Sequence, residues 1–116
     1  MDTVTEARGS VKDLKKSFRG VRFNSLLQTG VLRKVNGGYV CNLCFRIVGG
    51  RDEALAHVAV EHKDVWYEAT KYTIWKLLKR YGALPYTLFD ELGINPKVYG
   101  FKIMYVGRKR RIVVPP

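Results

Sequence analysis

The chain has 116 residues, 47% of them hydrophobic and 27% charged, which indicates one small folded domain or two very small ones. Its 21 Lys and Arg against 10 Asp and Glu give a formal net charge of +11, which points to a polyanionic partner. The chain contains no apolar run of membrane-spanning length and no signal-peptide stretch at its start, so we expect an intracellular protein, cytoplasmic or in the nucleoid or nucleus, with reduced thiols.

Residues 1–38 are predicted to form a basic N-terminal extension. Residues 1–10 have the composition of a frayed polar terminus, and a short amphipathic helix is predicted over 11–27. Its apolar positions at helical spacing are Val11, Leu14, Phe18 and Val21. Its cations are candidate contacts to nucleic-acid phosphates: Lys12, Lys15, Lys16, Arg19 and Arg22.

A β-hairpin is predicted around the two cysteines. The turn signal Asn36-Gly37-Gly38 lies within 32–40, which predicts a strand leading into Cys41. Phe45 to Val48 is predicted to be the return strand, closed by Gly49-Gly50. Neither Gly nor Pro occurs from 51 to 81, so a helix is predicted to begin near Arg51 and a second helical segment near Asp64.

Cysteine and histidine spacing predicts a metal site. The two cysteines and two histidines of the chain form the pattern Cys-x2-Cys-x12-His-x4-His: Cys41, Cys44, His57 and His62. A turn after a strand presents two thiolates, and a helix presents two imidazoles on one face, as a tetrahedral zinc ion requires. A thiol redox couple is disfavoured because Gly49-Gly50 follow too soon for the helix that such a motif opens. We therefore predict one structural Zn2+ ion.

The segments Tyr39–Cys44 and His57–His62, with the Gly49-Gly50 turn between them, resemble a single Cys2His2 zinc finger of the ββα type over residues 39–62. The resemblance implies a finger helix that carries both ligand histidines. It also implies base contacts from the residues one, four and seven places before the first histidine, which here are Ala56, Glu53 and Gly50. These residues offer little to a base edge, so we expect the finger to brace the basic flanks.

The C-terminal part, 63–116, is predicted to hold helices followed by a basic hairpin. The apolar stripe of the long helix is Trp66, Thr70, Ile74, Leu77, Leu78 and Tyr81, and we expect both Trp66 and Trp75 to pack. A short helix is predicted from Pro85 to Leu92, ended by Gly93, with one more turn at Asn95-Pro96. Two strands, Phe101–Val106 and Lys109–Val114, are predicted to flank a two-residue type II′ turn at Gly107-Arg108. This order has the outline of a winged helix.

The hairpin carries the strongest candidates for nucleic-acid binding. They are Lys102, Arg108, Lys109, Arg110 and Arg111. Four consecutive cations are too many for acidic groups of the protein itself to neutralise, and guanidinium groups fit phosphate oxygens. The alternative to phosphate contact is that these residues form the solvated rim of a strand. Tyr99, Phe101 and Tyr105 are candidates for base stacking, although packing is the favoured interpretation.

The sequence thus predicts an α+β protein with three segments, 1–38, 39–62 and 63–116. The leading hypothesis is a DNA-associated transcriptional or chromatin regulator that binds through phosphate contacts. The first alternative is an RNA-binding or ribosome-associated protein, and the second is a protein-interaction finger. We expect no enzyme, because four ligands close the metal and no histidine remains as acid or base. We expect no membrane partner and no small-molecule substrate.

Overall fold

The computed structural model describes the backbone of residues 3–116 and the side chains from residue 11 onward. The described residues contain both α-helices and two small antiparallel sheets, which confirms the predicted mixture of α and β structure. The elements in chain order are α1 (Thr3–Gln28), β1 (Leu32–Val35), β2 (Gly38–Cys41), β3 (Ile47–Val48), α2 (Arg51–Glu61), α3 (Lys63–Tyr81), β4 (Leu84–Pro85), α4 (Tyr86–Leu92), a 3-10 helix (Pro96–Tyr99), β5 (Lys102–Val106) and β6 (Arg110–Val114).

The chain divides into two compact units. The finger unit is Gly20–Thr73, and the hairpin unit comprises the described residues up to Arg19 together with Ile74–Pro116. Both boundaries fall inside helices, in α1 and in α3. The three segments named from the sequence stay a prediction.

The finger unit is built on a sheet of strand order β1-β2-β3. Leu32 pairs with Cys41 and Tyr39 with Val48, so these four side chains share one face, and three of them are buried. The buried cluster on this face is Phe23, Leu26, Leu32, Cys41, Val48, Ala54, Val58 and Ala69. The core therefore combines residues of α1, the sheet, α2 and α3.

Several boundaries in the finger unit differ from those predicted. Helix α1 runs from Thr3 to Gln28, beyond the predicted 11–27 at both ends. The return strand is limited to Ile47–Val48, because the turn that holds the cysteines occupies the positions before it. Helix α2 begins at Arg51 as predicted, but it ends at Glu61. The prediction that this helix carries both histidines is wrong for His62, which caps its C-terminal end.

The hairpin unit has a sheet of strand order β4-β6-β5. Its fully or almost fully buried side chains include Phe18, Ile74, Leu77, Leu84, Leu88, Phe89 and Val113. The predicted short helix is confirmed as α4, with Gly93 as a left-handed cap at φ 69°. The predicted turn at Asn95-Pro96 is confirmed as the 3-10 helix, where the Asn95 side chain accepts a hydrogen bond from the Lys97 amide.

The loop of the C-terminal hairpin has three residues, so the predicted two-residue turn is wrong. Val106 pairs with Arg110, which leaves Gly107–Lys109 outside the strands. A two-residue turn would pair Val106 with Lys109 and rotate Val113 to the opposite face of the sheet. Val113 is completely buried and also pairs with Leu84, so burial in the core sets the register.

Helix α3 follows the predicted stripe along most of its length. Thr70, Ile74, Leu77 and Leu78 are buried, and Trp66 packs partly buried against the finger core. Tyr81 is 52% exposed and Trp75 46% exposed, so the prediction of packing is wrong for these two.

In the described part of the chain, no helix is both long enough and apolar enough to span a membrane.

Candidate metal centre and basic surfaces

Four different parts of the finger unit supply the predicted metal ligands. Cys41 is the last residue of β2, Cys44 lies in the turn after it, His57 lies in α2, and His62 follows that helix. The turn is held by two backbone hydrogen bonds: the Phe45 amide donates to the Cys41 carbonyl at 2.6 Å, and the Cys41 amide donates to the Arg46 carbonyl at 2.8 Å. Asp52 and Glu53 in the first turn of α2 complement its dipole and favour the helix start.

The ligand atoms lie close enough together to hold one metal ion. All four lie within 4.8 Å of one another. The Cys44 Sγ lies 3.2 Å from His57 Nε2, and the Cys41 Sγ lies 3.5 Å from His62 Nε2. Zinc bonds of ordinary length at tetrahedral angles separate a sulfur and a nitrogen ligand by about 3.6 Å. The structure thus confirms that the four predicted residues come together as a site that can hold one metal ion.

The electrostatics of the site favour the ligand form of His57. Burial lowers the pKa of the His57 imidazole below its ordinary value, and the neighbouring His62 and Arg46 lower that pKa further. A metal binds the neutral imidazole, so a lowered pKa keeps the ring ready for coordination. Both cysteines are free thiols, Cys41 buried and Cys44 exposed.

The cations of α1 fall into two groups. Lys12, Lys16 and Arg19 are exposed. Lys15 forms an ion pair with Glu91 at 3.1 Å, which draws that charge toward α4. The guanidinium of Arg22 lies 4.0 Å from the centre of the Trp66 ring, and its Nη1 donates to Thr70 Oγ1 at 3.3 Å. Arg22 therefore takes part in the packing of the finger unit.

The hairpin displays its predicted cations. Lys102, Arg108, Lys109, Arg110 and Arg111 are all exposed. The guanidinium of Arg111 lies 3.9 Å from the Tyr86 ring, whereas no ion pair among the described residues involves the hairpin cations. Of the candidate stacking residues, Tyr105 is 70% exposed, Tyr99 is half-buried and Phe101 is buried. A role of these residues in nucleic-acid binding stays a prediction.

Sequence reasoning missed one surface of the finger unit. Residues 31–48 contain three cations and no Asp or Glu. The finger segment predicted from the sequence begins at residue 39, so it includes only one of these three cations and hides the positive charge of the surface. Phe45 in the cysteine turn is 76% exposed and has a left-handed φ of 66°. The missed signal was in the sequence: a large aromatic residue directly after the second cysteine, followed by Arg46.

Comparison with protein-family models, with curated proteins and with solved structures found no match to this chain. The resemblance to a Cys2His2 finger therefore depends on the four ligand residues, their spacing and the distances between their donor atoms. Function has to be argued from the chemistry of the site and of the charged surfaces.

Proposed function

We propose that this protein binds nucleic acid, as a DNA-associated regulator that uses its C-terminal hairpin to contact phosphates and a zinc ion to hold its finger unit together. The observation that carries the proposal is the charge of the hairpin. Residues 92–116 contain six Lys and Arg and no Asp or Glu. Arg108, Lys109 and Arg110 at the hairpin tip are exposed, so their positive potential acts on the solvent side.

The chemistry of the hairpin suits a phosphate backbone. Guanidinium groups donate two parallel hydrogen bonds to phosphate oxygens, and an ammonium group adds a point charge. The exposed Tyr105 lies on the neighbouring strand, opposite Arg111 in the register. Cations beside an exposed aromatic ring are typical of nucleic-acid surfaces.

The topology of the hairpin unit supports a winged-helix arrangement. A helix, β4, α4, a 3-10 helix and the β5–β6 hairpin follow one another, and β6 lies between β4 and β5. The 3-10 helix has four residues, too few for a recognition helix in the major groove. The base-reading positions of the finger hold Gly50, Glu53 and Ala56, which also offer little specificity. We therefore propose that affinity comes mainly from backbone contacts.

Zinc is the ion that the donor set favours. Two thiolates and two imidazoles in a tetrahedral arrangement suit Zn2+ better than the hard cations, which prefer oxygen ligands. Four protein ligands leave no open position for a substrate or a reactive water, which supports a structural role and a protein without catalytic activity. The ion would join β2, the turn and the end of α2.

The test compares two triple variants that remove the same charge. One variant replaces Arg108, Lys109 and Arg110 by alanine. Its control replaces three exposed cations of α3 by alanine: Lys63, Lys71 and Arg80. Binding to a labelled DNA duplex and to a folded RNA is measured over a range of salt concentrations.

We expect the hairpin variant to weaken binding and to flatten the dependence of log affinity on log salt by about 0.9 for each lost contact to duplex DNA. The control variant should retain the wild-type slope. Equal effects of the two variants, or a wild-type affinity that does not respond to salt, would refute the hairpin as the contact surface. Tighter binding to the folded RNA would move the proposal from DNA to RNA.

A further inference from the structure

The cysteine turn and the outer sheet face of the finger unit display apolar side chains to solvent. Leu43 is 47% exposed, Ile47 70% and Phe45 76%. No large apolar side chain in the described part of the chain is more exposed than Phe45. We call this area the knuckle surface, and its residues are Arg33, Leu43, Phe45, Arg46 and Ile47. Exposed apolar groups gathered in one short segment indicate an interaction site.

Phe45 occupies a position that suits folding poorly. Its φ of 66° makes it the one residue other than glycine with a positive φ among the described residues. An L-residue is strained in this region, and a bulky aromatic one is rare there. A glycine would relieve the strain and would remove an exposed hydrophobic ring. Neither backbone conformation nor burial explains a phenylalanine here, which points to a ligand.

The turn holds Phe45 rigidly. Besides the two hydrogen bonds of the turn itself, the Asn42 amide donates to the Val31 carbonyl at 2.8 Å. The Asn42 side chain donates to the Gly30 carbonyl at 2.7 Å. The metal ligands Cys41 and Cys44 lie on the same turn. The ring is therefore displayed by a pre-ordered backbone, so that little conformational entropy is lost when a ligand binds it.

The charge of the knuckle surface selects the class of ligand. Arg33 pairs with Val40, and Val40 pairs with Ile47, so Arg33 and Ile47 flank the buried Val40 on the sheet face opposite to that of Leu32 and Cys41. Arg33 and Arg46 are both exposed, and residues 31–48 contain no Asp or Glu. An exposed aromatic ring, in a segment that also exposes two guanidinium groups, suits a ligand that is itself flat, aromatic and anionic.

We propose that the knuckle surface binds single-stranded nucleic acid, with Phe45 stacked on an unpaired base and Arg33 and Arg46 on the flanking phosphates. The inference rests on the proposed function and deepens it, because it adds a site for unpaired bases to the phosphate contacts of the hairpin. Bases in a duplex are already stacked on one another, whereas a single strand offers its ring faces to an aromatic side chain. The finger thus binds through its turn and sheet, and not through its helix.

The test uses the full-length, zinc-loaded protein and substitutions at one position. Phe45→Leu keeps an apolar side chain but removes the aromatic ring, Phe45→Trp keeps a ring, and Phe45→Gly removes the side chain and the backbone strain. Val60→Ala is the control, since Val60 is a 64% exposed apolar residue of α2 outside the knuckle surface. Affinities for labelled oligothymidylate, oligouridylate and a mixed-sequence DNA duplex are measured by fluorescence anisotropy, with urea denaturation of each variant.

We expect Phe45→Leu and Phe45→Gly to weaken binding to the single strands roughly 5- to 150-fold while duplex binding stays unchanged. Phe45→Trp and Val60→Ala should bind as the wild type does. Phe45→Gly should unfold at a urea concentration no lower than that of the wild type. If Phe45 had a purely structural role, this variant would instead unfold at a lower urea concentration.

Three results would overturn the inference. Wild-type affinity of Phe45→Leu for both single strands would show that the ring does not stack, and would leave a protein partner as the occupant of the knuckle surface. Equal losses on single strands and on duplex would show a general defect. A wild-type protein that binds the duplex but not the single strands would reject the knuckle site and leave the hairpin proposal intact.

Discussion

The substitution Val58→Ala tests how far the packing of α2 in the finger core stabilises the finger unit. Val58 follows His57 in α2, is completely buried, and belongs to the cluster that also contains Phe23 and Ala54. The change removes two methyl groups, which contribute about 0.8 kcal/mol each through burial, and it leaves a cavity. We therefore expect the free energy of unfolding to fall by about 2–3 kcal/mol.

Val60→Ala is the matched control for this prediction. The same helix carries Val60, its side chain is 64% exposed, and the change in helix propensity is the same at both sites. We expect Val60→Ala to change the unfolding free energy by less than about 0.5 kcal/mol. The difference between the two variants then measures burial alone.

Urea denaturation followed by tryptophan fluorescence is the assay. The chain has two tryptophans, and a Trp75→Phe background leaves Trp66, which packs against the finger core, as the probe of the finger unit. Zinc is kept in excess so that the metal-bound form is the reference state. Equal destabilisation by the two variants, or a loss below about 1 kcal/mol for Val58→Ala, would refute the packing of α2 described above.

Three further predictions concern the finger unit. Gly38→Ala should destabilise it by more than about 2 kcal/mol in the same denaturation assay, because an added Cβ would collide with the carbonyl oxygen of Val48. Gly50→Ala is the control and should be tolerated, because the space beside Gly50 is open. Equal stability of the two variants would contradict the close approach of β2 to β3. Cys44→Ser should lower zinc affinity at least about 10-fold in competition with a chelator, since it removes a thiolate donor, and a wild-type affinity would exclude Cys44 as a ligand. The metal-free protein should lose stability as the pH falls through about 6.5, because the lowered pKa of His57 makes protonation costly in the folded state. Urea denaturation at a series of pH values measures this loss, and His57→Gln should reduce it; an unchanged pH profile would show that another group titrates.

The metal ligands could be predicted from the sequence because their geometry is mostly local. The pairs Cys41–Cys44 and His57–His62 are each separated by a few residues, so a turn and a helix end suffice to bring each pair together. Helix signals were equally local at Arg51 and Gly93, where the predicted start of α2 and the predicted end of α4 are confirmed. The resemblance to a known finger supplied the order of these elements.

Features set by long-range packing could not be read from the sequence in the same way. Burial of Val113 opposite Leu84 decides the register of the C-terminal hairpin, and a local turn rule at Gly107 had no access to that contact. Helix α2 ends before His62, although the run without Gly or Pro continues to Tyr81. Periodicity identifies which apolar residues share one face of an element. Tertiary structure decides where the element ends and which of its apolar residues stay exposed.

Charge in the finger unit is separated by element, and this separation constrains how the finger meets a polyanion. Residues 31–48, the sheet and its turn, have three cations and no acid, whereas α2 at 51–61 has one cation and three acids. A net charge summed over the motif hides the difference. If α2 faced the phosphates, the carboxylates of Asp52, Glu53 and Glu61 would repel them. In that orientation Arg33, on the sheet, would point away from the phosphates. This distribution of charge would favour an approach of nucleic acid to the sheet and to the turn that carries Phe45.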